Sequence, residues 1–198
     1  MNDSQETKKK AILKASFTTF LQYGFRRTSM EDIASALGIS RAALYLHFKN
    51  KQEIFRSLSQ DLQDEGLNRA QIALNQKNTL EQRLVEAFES RYLVEFFDSI
   101  YTSAHGEEII DTNNSIAADI SLAAQTKFEK MLIESLEEAE AVQNISLQKA
   151  GLKINEAAEL LMLAANGLKT PAPSADIFRI RLKNLIRLFI EAVKSESK

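Results

Sequence analysis

Residues 28–51, TSMEDIASALGISRAALYLHFKNK, set two short helices and the turn between them at a spacing that decides how the neighbouring chain must pack. Thr28 with Glu31, or Ser29 with Asp32, fits the reciprocal cap in which a hydroxyl and a carboxyl group three residues apart satisfy the free N–H groups of a helix start. Met30, Ile33, Ala34 and Leu37 then follow at i, i+3, i+4 and i+7, one apolar stripe about two turns long. Gly38 stands where a helix end needs a left-handed residue, and Ser40 is a cap for a second helix. Leu44 and Phe48 turn inward at i and i+4, and the small Ala34 opposite permits a close crossing. The spacing predicts a helix-turn-helix whose outward face carries Arg41, Ala42, Tyr45 and His47. A plain helical hairpin would share the apolar spacing. Lys51 argues against it: Asn50 and Glu53 fit another helix start, a lysine in that first turn opposes the macrodipole, and an anion held there would explain it.

The rest of the chain is expected to be helical, because 198 residues with 44% hydrophobic content contain just two Pro and six Gly. Periodicity places a helix over 5–23, ended by Gly24 with Phe25 folding back on Phe20. Further helices follow over 51–74, over 20 or more residues from the Thr79 cap, over 116–143, over 155–168 and over 176–193. A polar connection over 103–114 holds a short helical piece at 107–111. There are no Cys and two His, and no apolar run approaches the ~18 residues of a membrane span. These features predict a soluble cytoplasmic protein with no disulfide, metal site, cofactor or membrane partner.

Charge is unevenly spread. Residues 1–51 hold nine Lys or Arg against four acids, a net +5, and the remainder holds 16 against 23, a net −7. A basic end on an acidic body suits a chain that offers one end to phosphates.

The run TSMEDIASALGISRAALYLHFKNKQEIF resembles the DNA-binding region of the TetR family of bacterial transcriptional regulators over about residues 8–58. The resemblance implies an all-α homodimer of about nine helices per chain. A three-helix DNA-binding domain (1–50) would precede a helical ligand-binding and dimerisation domain (51–198), in a repressor released from a near-palindromic operator by a small molecule. By position it also implies contacts with double-stranded DNA from Thr28, Ser29, Ser40, Arg41, Ala42, Tyr45, His47 and Lys51. Residue chemistry agrees, since Arg reads guanine bidentately, hydroxyls and lysines serve phosphates, and alanines leave room for thymine methyls. Control by a protein partner in place of a small ligand is the alternative.

In the body, Phe88, Tyr92, Phe96, Phe97 and Tyr101 either line a pocket or form plain core. Arg91 and Glu95, four residues apart, select a ligand's charge if buried and form a surface pair if exposed. His105 joins the candidate ligand set; with Glu107, Glu108 and Asp111 it could make an acid–base or metal cluster, but a lone His in a connection fits a cap or spacer better, so no catalytic residue is expected. The last two helices are so apolar that a partner is expected to cover them. The predicted dimer interface is Leu161, Ala165, Leu168, Phe178, Leu182, Leu185 and Phe189.

Overall fold

The computed structural model describes residues 3–93, 97–142 and 144–195. Those residues form α1 (Asp3–Tyr23), α2 (Met30–Leu37), α3 (Arg41–Tyr45), α4 (Lys51–Leu74), α5 (Leu80–Tyr92), α6 (Phe97–Thr102), α7 (Gly106–Ile116), α8 (Ala118–Ala141), a 3-10 turn (Leu147–Ala150), α9 (Ile154–Gly167) and α10 (Ala175–Val193). The fold is all-α with no strand among the described residues, as composition predicts; one isolated bridge pairs Ile145 with Lys194.

Two compact units share the chain. The first is Met1–Gln63 with Asp98–Leu122, and the second is Asp64–Phe97 with Ala123–Lys198. Residues 98–122 thus belong with the N-terminal helices, whereas a boundary at 50/51 would put them in the body. Side-chain clasps explain this. Arg56 on α4 grips the Asp119 carboxylate with both terminal nitrogens, at 2.7 and 2.8 Å, which draws that acid down to about 2. Ser59 donates to Asn113 Oδ1 at 2.9 Å, and Ser103 donates to the Leu21 carbonyl at 2.8 Å.

In the first unit, α1 ends at Gly24, whose φ of 83° is open to glycine and strained for other residues. Its N–H bonds the Phe20 carbonyl at 2.8 Å, and Phe25 folds back so that the two rings lie 5.2 Å apart. Phe55 of α4 completes an aromatic trio, 5.9 Å from Phe20 and 5.3 Å from Phe25. Ile33, Leu44 and Ile54, each 0% exposed, join this core and fix the crossing of α2, α3 and α4. The α1–α2 connection is also held from α7: the Glu108 carboxylate accepts the Arg26 N–H at 2.7 Å and faces His105 Nδ1 at 3.4 Å. A Cβ on Gly24 would stand 2.5 Å from Glu108 Oε2, while one on Gly38, at φ 66°, would meet nothing within 4 Å. Gly24→Ala therefore combines backbone strain with a displaced hydrogen bond. It is expected to cost about 2 kcal/mol, against about 1 for Gly38→Ala. Urea midpoints of the two variants check that order.

The long helix expected after Thr79 is two helices. Thr79 and Gln82 make the capping box, but α5 stops at Tyr92, Leu93 leaves helical geometry at φ −91° and ψ 61°, and α6 starts at Phe97. No Gly or Pro marks this break, which falls where the chain passes from one compact unit to the other. The short piece expected at 107–111 is the full α7, separated from α8 only by Ala117.

In the second unit, α5, α8 and α10 bury Leu84, Phe88, Phe128, Leu132, Phe178, Leu182 and Ile186, each at most 1% exposed. The apolar stripe of α10 is wider than one seam, so packing chooses its register. Phe178, Leu182, Ile186 and Val193 go inside, whereas Ile177, Ile180 and Leu188 stay 46, 62 and 68% exposed. On α9, Leu161 and Ala165 are 2 and 0% exposed, and Leu160 and Leu163 face outward at 49 and 60%. This corrects four of the expected interface residues. Leu161, Ala165, Phe178 and Leu182 are core of their own chain and have no area left for a partner, while Leu168, Leu185 and Phe189 are half-buried.

Candidate nucleic-acid interface

The outward surface of the first unit is built by caps. Ser29 makes the α2 capping box with Asp32: its hydroxyl accepts the Asp32 N–H at 3.2 Å, and Asp32 Oδ2 accepts the Ser29 N–H at 2.7 Å. The Ser29 hydroxyl also donates to Asp32 Oδ2 at 2.6 Å, and that bond, with the one from the Ser29 N–H, holds the Asp32 carboxyl below its ordinary value. The structure therefore uses Ser29–Asp32 of the two pairs the sequence allowed. Gly38, left-handed, closes α2 by donating its N–H back to the last turn. Ser40 caps α3 by accepting the Ala43 N–H at 3.1 Å.

α3 is only five residues long, and Leu44, 0% exposed, anchors it. Arg41, Ala42, Tyr45 and His47 are all exposed on it or directly after it. The Arg41 guanidinium reaches along the helix to donate to the Tyr45 hydroxyl at 3.2 Å, and its carbon lies 5.4 Å from that ring. The hydroxyl raises the Arg41 value further, so the group stays charged, extended and supported on an aromatic face. Leu46 is 85% exposed between Tyr45 and His47. Its place off the Leu44–Phe48 stripe is the one sequence signal that it points outward. This face thus offers a fork of N–H donors, a phenol, an imidazole and a bare leucyl group, the chemistry that reads base edges and thymine methyls.

Two expected phosphate contacts have other work. The Lys51 ammonium donates to the carbonyls of Phe25 at 2.8 Å, Arg26 at 2.9 Å and Thr28 at 2.8 Å, which uses all its N–H groups. It also sits 4.8 Å from the Phe25 ring centre. Burial lowers its value, while Glu108 and Asp32 pull the other way. Carbonyl oxygens offset the unfavourable place of a cation in the first turn of α4. That helix start is capped by Asn50, whose Oδ1 accepts the Glu53 N–H at 2.8 Å. Thr28 is 2% exposed, and its hydroxyl donates to the Gly24 carbonyl at 2.7 Å. Lys51 and Thr28 shape the connection between α1 and α2.

The candidate ligand residues are drawn from both units. Phe88 and Tyr92 belong to an aromatic cluster of the second unit: Phe88 meets Phe128 edge-on at 5.1 Å and stacks on Tyr92 at 6.0 Å, and Tyr92 meets Phe178 at 6.1 Å. Arg91 lies beside Tyr92, 5.7 Å from its ring centre. Tyr101 and His105 belong to the first unit, where His105 pairs with Glu108 at the α1–α2 connection. Glu95 and Phe96 lie outside the described residues. Among the described residues no three His or carboxylate side chains gather as a metal set, and no helix is long and apolar enough to cross a membrane.

Residues 12–58 match the family model described as bacterial regulatory proteins, tetR family. The HTH-type transcriptional activator FasR of Mycolicibacterium smegmatis is 30% identical over 116 residues, 59% of this chain and 50% of that protein. The uncharacterized HTH-type transcriptional regulator YfiR of Bacillus subtilis is 34% identical over 67 residues, 34% of this chain and 33% of that protein. The chain therefore spans half or less of these relatives' own lengths. A transcriptional regulator of known structure from Cytophaga hutchinsonii superposes with a TM-score of 0.76 at 17% identity, covering 95% of this chain and 99% of that one, which shows a shared fold.

Proposed function

We propose that this chain, whose residues 12–58 match the tetR family model, is a homodimeric, sequence-specific DNA-binding repressor of that family, released by a small-molecule effector, with no catalytic role and its place of action in the cytoplasm. The observation that carries this reading is the capped, exposed α3, where Arg41, Tyr45, Leu46 and His47 stand clear of the core on the +5 segment of the chain. The exposed leucines and isoleucines of α9 and α10 support the dimer. Leu160, Leu163, Ile180 and Leu188, each about half exposed or more, form the kind of apolar face that a second copy covers in a four-helix packing. Two-fold symmetry would then place two α3 helices on half-sites about one or two duplex turns apart. α4 carries the effector's signal in this reading. It begins at Lys51, whose ammonium grips the connection before α2, so a shift of α4 moves the reading surface.

The test is fluorescence anisotropy of a labelled mixed-sequence duplex titrated with the purified chain across salt concentrations. Expected is binding that tightens steeply as salt falls; no binding even near 50 mM salt would refute the reading. Sedimentation of the free protein checks the dimer, and Ile180→Asp is expected to shift it toward monomer. Leu46→Ser should leave melting unchanged, because the side chain is 85% exposed. Its expected effect is to remove about 1 kcal/mol of preference for one thymine in the bound site, measured by competition between duplexes differing at that base pair.

A further inference from the structure

We propose that the second unit binds a small organic anion with an apolar body, its charge held between Arg91 and Lys169 and its body laid beside the half-buried Tyr92. The site deepens the effector reading above, on which its consequence for DNA rests. Lys169 follows α9 and brings Nζ to 3.9 Å from the Tyr92 ring centre, and the Arg91 guanidinium lies 5.7 Å from the same centre. Two cations on one ring repel each other, and both are largely withdrawn from water. Burial lowers Arg91, and burial with Arg91 beside it lowers Lys169 to about 8.

No charge compensates them among the described residues. The ion pairs there engage other cations, and Glu89, two residues from Arg91, lies 3.8 Å from Arg179 Nε. The side-chain partner of Lys169 is the neutral Asn166 Oδ1 at 3.1 Å. The Leu168 carbonyl at the end of α9 accepts from Arg181 at 2.8 Å. A withdrawn cation without a counter-charge is unfavourable, and two adjacent ones are more so. A bound carboxylate, sulfonate or phosphate monoester would relieve both. Phe88, Phe128 and Phe178, each at most 1% exposed, provide the apolar surroundings in which such a contact is strong.

The experiment compares two fluorescent probes of nearly equal shape on the full chain: 8-anilinonaphthalene-1-sulfonate, an anion, and N-phenyl-1-naphthylamine, its uncharged analogue. Lys169→Met and Arg91→Gln are each expected to weaken the anionic probe about fivefold or more and the neutral probe less than about twofold, with Lys169→Arg close to wild type. Lys169→Met should also raise the melting temperature of the probe-free protein, because it removes an uncompensated charge. The folded state of that variant keeps the test readable even if Arg91→Gln is unstable. Equal weakening of both probes, or anionic binding indifferent to both substitutions, overturns the proposal. The duplex titration repeated with the anionic probe separates the two readings. Charge-dependent binding that leaves duplex affinity unchanged keeps the anion site and removes the effector role. Duplex affinity that responds to another compound, while the probes show no charge dependence, does the reverse.

Discussion

Lys51→Met is expected to lower the melting temperature by about 5–10 °C, the largest stability effect of any single change in the first unit's polar groups. The Lys51 ammonium serves three backbone carbonyls in the connection between α1 and α2. Methionine keeps most of the apolar stem against Phe25 and removes every donor. The carbonyls of Phe25 and Thr28, both buried residues, would lose that donor, and each such loss costs about 1–2 kcal/mol. Lys51→Arg should recover part of the loss. A lysine held out for a DNA phosphate predicts the opposite pattern, with melting unchanged and the salt dependence of DNA binding reduced by about one charge. Thermal melts followed by circular dichroism, beside salt titrations, separate the two.

Arg41→Ala should do the reverse. Its hydrogen-bond partner is the exposed Tyr45 hydroxyl, so folding is expected to change by less than about 0.5 kcal/mol. Affinity for the cognate duplex should fall by about 1–3 kcal/mol, roughly 5- to 150-fold, if the guanidinium reads a base. Binding to unrelated duplex should fall much less, since one lost charge is shared among several phosphate contacts. Arg41→Lys distinguishes the two roles: it keeps the charge and gives up the bidentate fork, so non-specific binding survives while discrimination weakens.

What could be read from the sequence was local. The Ser29–Asp32 box, the left-handed Gly38, the Ser40 cap and the return of Phe25 onto Phe20 depend on residues within five positions of each other, and each is formed. Lys51 shows where local reasoning stops. The macrodipole rule identified a cation in the wrong turn, but the carbonyls that accept it lie 23 to 26 residues away, so the sequence supplied the question without the partner. The register of α10 was ambiguous for a related reason: Phe178, Leu182, Leu185, Phe189 and Ala192 fit a heptad, while Ile186, Ile190 and Val193 widen the stripe, and only packing chooses among them. The end of α5 at Tyr92 carries no breaker and could not be foreseen from composition. Arg91 was singled out in the sequence as a residue that selects a ligand's charge if buried. Lys169 was not, because nothing in a loop sequence shows that its ammonium returns to an aromatic ring on another helix.

Selection from a random duplex pool with the wild-type chain at moderate salt, followed by sequencing, tests α3 as a reader of DNA sequence. Expected is an enriched inverted repeat with half-sites a whole number of turns apart, with enrichment retained by Ile72→Ser, a change to an exposed α4 side chain, and lost by Arg41→Ala. A pool that emerges without a shared motif, or a motif enriched equally by the Arg41 variant, would contradict it and leave α3 as an ordinary exposed helix.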